Sequence, residues 1–140
     1  MPIQKILVVD DSKTELHHLS GLLGRRGYTV RTAENGDEAM RVATTTHVDV
    51  AVLDVMMTTP TEGFLLARAM RQDDRTKHIP LLMLTSVNAE NEAQGSPFRF
   101  TDRDRDPQWL PVDRFVDKPV KPEDLVSMVR TLAGAWTFPR

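Results

Sequence analysis

The chain has 140 residues, 40% of them hydrophobic and 27% charged, with a formal net charge of -2. That is room for one domain of globular composition, and so small a charge leaves no electrostatic footprint for nucleic acid. The absence of cysteine excludes a disulfide framework, a thiolate metal site and a cysteine nucleophile, and no stretch approaches the ~20 apolar residues of a membrane span.

Ile6-Leu7-Val8-Val9 is a short apolar run closed by Asp10 and Asp11, the pattern of a strand buried on both faces. Ser12, with Glu15 three residues on, is a capping-box signature for a helix start. Leu16, Leu19 and Leu23 follow at helical spacing, up to a C-terminal signal at Arg25-Arg26-Gly27. Tyr28 to Ala33 alternates weakly as a second strand. Asn35-Gly36 is a turn, and Ala39, Met40 and Ala43 mark a second helix. Val48 to Leu53 is a third strand ending at Asp54. After a loop holding Pro60 and Gly63, the residues Phe64, Leu65, Ala67, Ala69 and Met70 fit a third helix. Ile79 to Leu84 is a fourth strand ending at Thr85, and Arg114 to Asp117 a shorter fifth ending at Lys118-Pro119. Pro122 opens a last helix whose predicted buried stripe is Leu125, Met128, Val129, Leu132 and Trp136. Strands separated by helices imply right-handed crossovers and a parallel sheet covered on both faces. In such sheets ligands bind beyond the carboxyl ends of the strands.

The residues ending the strongest strands therefore share an edge: Asp10 and Asp11 from the first, Asp54 from the third, Thr85 from the fourth, Lys118 from the fifth. Each alone has a plain reading. An acidic pair suits a helix N-terminus, an aspartate or threonine suits a turn, and a lysine is usually solvated. Together, in this order, they are a constellation. Three nearby carboxylates raise one another's pKa, and a bound cation with the Lys118 ammonium relieves the repulsion. The available ligands are oxygens, which calls for a hard cation, and Mg2+ suits best because it takes one or two carboxylates and then coordinates phosphate. A carboxylate so placed is a competent nucleophile for an acyl phosphate, with Thr85 and Lys118 available to the phosphoryl oxygens.

Ile6-Leu7-Val8-Val9-Asp10-Asp11-Ser12, Val52-Leu53-Asp54, Met83-Leu84-Thr85-Ser86 and Phe115-Val116-Asp117-Lys118-Pro119-Val120 are weak motifs singly and highly specific in this order. With them the chain resembles a response-regulator receiver domain across nearly its whole length. The resemblance implies an α/β, flavodoxin-like, doubly wound five-stranded parallel sheet in the order 2-1-3-4-5. It makes Asp54 the phosphoacceptor. Asp11, Asp54 and the backbone carbonyl of Met56 become direct Mg2+ ligands, with Asp10 acting largely through water. Lys118 pairs with the phosphoryl oxygens, next to a Lys118-Pro119 peptide that is commonly cis in the family. Thr85 moves towards the phosphoryl group and Phe115 is the aromatic that rotates inward, although a plain core phenylalanine fits that position equally well. The donor would be a phosphohistidine on a sensor histidine kinase or phosphotransfer protein. The product would hydrolyse slowly, in a cytoplasmic switch that is not an enzyme and that contacts neither nucleic acid nor membrane directly.

Two stretches depart from the family pattern. The loop after Asp54 is slightly longer, with proline displaced to Pro60. The segment of about 88–112 is also extended and polar, with alternating charge from Asp102 to Asp106, so the fourth-helix region is atypical or partly disordered. It reads either as an altered partner-binding surface or as a plain insertion within one receiver domain spanning 1–140. No output domain follows Trp136-Thr137-Phe138-Pro139-Arg140, so the chain is a stand-alone receiver or part of a larger protein. Two other functions stay open: an unphosphorylated docking module, and an aspartate-nucleophile phosphohydrolase of the haloacid dehalogenase type. In that enzyme family, however, the acidic pair comes late.

Overall fold

A computed structural model describes residues 4–54, 60–85, 112–117 and 120–134. The elements run β1 (Lys5–Val9), α1 (Lys13–Gly24), β2 (Thr29–Ala33), α2 (Gly36–Thr45), β3 (Val50–Asp54), α3 (Pro60–Gln72), β4 (Leu81–Thr85), β5 (Arg114–Asp117) and α4 (Pro122–Gly134). The five strands form one sheet in the order β2-β1-β3-β4-β5, and every neighbouring pair is parallel. This is the doubly wound arrangement that the alternating sequence pattern predicts.

The pleat sends alternate residues of each strand to opposite faces, and each face carries its own core. Leu7, Val9, Ala51, Leu53, Leu81, Met83 and Phe115 pack with Ala39 and Ala43 of α2 and Leu66, Ala67 and Met70 of α3. Ile6, Val8, Val50, Val52, Leu82 and Leu84 pack with Leu16, Leu19, Leu22 and Leu23 of α1 and Leu125, Val126, Val129, Leu132 and Ala133 of α4. The inner strands β1, β3 and β4 are therefore apolar along nearly their whole length because water reaches neither face, whereas the edge strand β2 leaves Thr29, Arg31 and Thr32 exposed.

Two helix faces differ from the predicted stripes. α3 begins at Pro60, where the missing amide of proline costs nothing, so Gly63 lies inside the helix and does not open it. The buried stripe becomes Gly63, Leu66, Ala67 and Met70, at i, i+3, i+4 and i+7, and Leu65 is 59% exposed. In α4 the buried set gains Val126 and Ala133, while Met128 is only partly buried and Trp136 lies outside the described residues. α1 ends at Gly24, and Gly27, with φ 94°, turns the chain back into β2. That left-handed conformation is one that glycine adopts without steric cost.

The amino-terminal edge of the sheet is fastened by two aspartates, each standing just before a strand. Asp49 precedes β3; its amide donates to the Lys5 carbonyl (2.8 Å) and its Oδ2 accepts the Lys5 amide (2.7 Å). Asp113 precedes β5 and repeats the pattern on Leu81, with both distances 2.8 Å. Each carboxylate thus satisfies the first amide of a neighbouring strand, a donor that would otherwise be left at the ladder's end. Asp113 Oδ2 also accepts from Arg71 Nη2 at 2.6 Å, and the Arg71 guanidinium donates to the Lys77 and Ile79 carbonyls (3.0 and 2.6 Å). α3, the turn after it, β4 and β5 are so tied at one point, with both side chains of the ion pair 23% exposed. Replacing Asp113 with Ala should lower stability by about 2 kcal/mol, because charged hydrogen bonds are lost and their donors stay half-buried. Urea unfolding of the two proteins checks this, and the phosphoryl chemistry at the far edge should be little changed.

Candidate functional site

At the opposite edge the register brings the acidic residues into line. Val9, the last residue of β1, lies beside Leu53 of β3, so Asp10 leaves β1 next to the point where Asp54 ends β3. Both are buried, at 2% and 3% exposure, although both are ionisable. The Asp10 amide donates to the Ala33 carbonyl of β2 at 3.0 Å, extending that ladder by one bond and fixing the backbone of Asp10 between two strands. By the pleat, Asp10 and Asp54 share the face of Val8 and Val52, towards α1 and α4. Asp11, next in the chain, is exposed at the start of the turn into α1.

Ser12 caps that helix. It has extended backbone angles (φ -90°, ψ 115°), and its Oγ accepts the Glu15 amide at 3.3 Å. This is the first half of the predicted capping box. The second half is not built as the sequence suggests, because the Ser12 amide donates to Asp10 Oδ1 at 2.9 Å. The cap of α1 and the orientation of Asp10 are consequently joined through one residue.

Thr85 ends β4, in register with Asp117 of β5. Phe115 is 4% exposed, registered against Met83 and packed in the core on the α2–α3 face. Met56, Lys118 and Pro119, with the loop after Asp54, lie outside the described residues, as does the segment from 86 to 111. The fold therefore brings Asp10, Asp11, Asp54 and Thr85 to one edge of the sheet, while Phe115 lies two residues inside it, in the core on the α2–α3 face. Sequence reasoning missed the Ser12 amide, since Ser12 carried only the signal of a cap.

Two buried carboxylates at neighbouring strand ends are costly unless positive charge compensates them. The donors are all carboxylate oxygens, which fits a hard cation. Among the described residues no group of three His, Cys, Asp or Glu side chains is gathered closely enough to hold a metal ion. Mg2+ needs no such group, because it binds through one or two carboxylates and keeps several waters. The donor chemistry of this edge therefore fits Mg2+. No helix among the described residues is long and apolar enough to cross a membrane.

A five-stranded doubly wound sheet with two buried carboxylates at its carboxyl edge belongs to the class of α/β domains that bind ligands beyond the carboxyl ends of their strands. Comparison with known proteins narrows that class. The family model described as "Response regulator receiver domain" matches residues 6–96, and the chain belongs to that family. It is 34% identical over 88 residues to Protein PilH of Pseudomonas aeruginosa, covering 63% of this chain and 72% of PilH. It is 31% identical over 129 residues to Response regulator PleD of Caulobacter vibrioides, covering 91% of this chain and 26% of PleD. The chain thus spans about a quarter of the length of PleD. Among solved structures, the signal receiver domain of a signal transduction histidine kinase from Syntrophus aciditrophicus superposes with a TM-score of 0.77. The two are 27% identical, and the match covers 98% of this chain and 95% of that one. The chain is accordingly a receiver domain homologous to PilH and PleD. Receiver domains are signalling switches, generally bind Mg2+ at an acidic pocket, and work with histidine kinases or phosphotransfer partners.

Proposed function

We propose that this chain takes a phosphoryl group from a phosphohistidine donor onto Asp54 and thereby switches a protein–protein interaction. The observation that carries the reading is the burial of two carboxylates at the carboxyl edge, Asp54 at the end of β3 and Asp10 just past the end of the neighbouring β1. A carboxylate oxygen of Asp54 attacks phosphorus, the P–N bond breaks, and the donor imidazole leaves with the electron pair, its nitrogen taking up a proton from solvent. Asp11, Asp54 and the Met56 carbonyl would hold Mg2+ directly, with Asp10 acting through water. The ion supplies charge neutralisation of the phosphoryl oxygens. Lys118 and Thr85 would complete the contacts to those oxygens, and Phe115 would respond to the movement of Thr85. Attack of water at phosphorus later restores the carboxylate, so the group turns over slowly without the chain being an enzyme in the ordinary sense.

The donor would be a sensor histidine kinase or a phosphotransfer protein, in the cytoplasm. Residues 1–140 are read as one receiver domain in which the stretch of about 88–112 forms an altered partner surface. Supporting the departure, the family model's match ends at residue 96, within that stretch. Acetyl phosphate with Mg2+ should add one phosphoryl group per chain, seen as a mass increase, and chelation of the metal should prevent it. No uptake under any condition would favour a docking module, and repeated turnover of a phosphomonoester would favour a hydrolase.

A further inference from the structure

We infer that Ser12 is a positioning residue for the metal site, acting through its backbone amide as well as through the hydroxyl that caps α1. This rests on the reading of Asp10 as part of the Mg2+ site. In an ordinary capping box the side chain three residues on would reach back to the Ser12 amide, and Glu15 stands at that position. Here the amide is taken by Asp10 Oδ1 at 2.9 Å, while Glu15 is exposed and contributes its own amide to Ser12 Oγ at 3.3 Å. The bond that would have closed the cap on itself has been turned towards the strand end.

The consequence is geometric. The Asp10 backbone is fixed by the hydrogen bond of its amide to the Ala33 carbonyl, and its Oδ1 is held by the Ser12 amide, so the carboxyl group cannot turn without breaking a part-buried hydrogen bond. Groups that orient a metal's carboxylate partners typically change metal affinity by about 10–100-fold when removed. Fraying of the first turn of α1 would release Asp10, and binding at Asp10 would in turn stabilise that turn, because linkage is reciprocal.

Two substitutions separate the amide from the hydroxyl. Ser12→Ala removes the cap and keeps the amide. Ser12→Pro removes both, and the φ of -90° at Ser12 is close to what proline requires. Both variants should unfold at lower urea than the parent. Ser12→Pro should bind Mg2+ about tenfold more weakly by calorimetry, with Ser12→Ala within about twofold of the parent. Equal affinity in all three proteins would reduce Ser12 to a structural cap and overturn the inference, as would equal weakening in both variants. Should Ser12→Pro fail to fold, the Ser12 amide resonance decides in other backgrounds. It should move upfield in Asp10→Ala, where the acceptor is gone, and stay in place in Glu15→Ala, and the reverse pattern overturns the inference. Mg2+ affinity responding as stated, while Asp54 takes up no phosphoryl group, would leave the positioning role standing and remove only the proposed function.

Discussion

Replacing Asp54 with Asn is expected to reduce phosphoryl uptake from acetyl phosphate to background while leaving the fold intact. The substitution preserves the volume at a position that is 3% exposed, so the packing around it should hold. What it removes is the nucleophile. An amide oxygen cannot form the acyl phosphate, and the loss of one negative charge also weakens the acidic set that would hold Mg2+. Because no neighbouring group restores both properties, the loss should be complete and not graded. Mass spectrometry of the parent and variant, incubated side by side with acetyl phosphate and Mg2+, reads the result. A urea midpoint close to that of the parent shows that the fold survived.

The largest effect on stability is expected from the sheet itself. Leu82 lies in β4 between Val52 of β3 and Arg114 of β5, is fully buried, and packs in the core shared with α1 and α4. Truncation to Ala removes its methyl-bearing branch from a position that strands hold on both sides, so the backbone cannot collapse into the space. The expected loss is about 3 kcal/mol, within the ~2–5 kcal/mol typical of buried leucines. Against a total of roughly 5–15 kcal/mol for a domain, that is a large fraction. Equilibrium urea unfolding should show a lower midpoint with an unchanged slope, since the surface exposed on unfolding is nearly the same.

The same contrast between strand ends and strand interiors explains what the sequence makes visible. Asp10, Asp11, Asp54 and Thr85 stand out because each closes an apolar run, and strand order follows once the runs alternate with helices. Helix faces are less legible. In α3 the run Phe64-Leu65-Leu66-Ala67 is apolar on all sides, so composition does not say which residues face the sheet. Only packing against the sheet shows that Leu66 does and Leu65 does not. The fastenings at the amino-terminal edge are invisible for another reason. Asp49 meets Lys5 across 44 positions, and Asp113 meets Leu81 and Arg71 across 32 and 42. Nothing local distinguishes these aspartates from turn residues. The diversion of the Ser12 amide is the opposite case: its partner is two positions away, but the local motif points to Glu15 instead. There the strand register, which carries Asp10 into the site, overrides the capping preference.

Among the acidic residues of this edge, Asp54 is the expected acceptor. Borohydride reduction of the chain after reaction with acetyl phosphate and Mg2+ converts an aspartyl phosphate to homoserine, and peptide sequencing by mass spectrometry then locates it. Homoserine at position 54 alone is the result expected; homoserine at position 10 or 11, with Asp54 unchanged, would contradict the account.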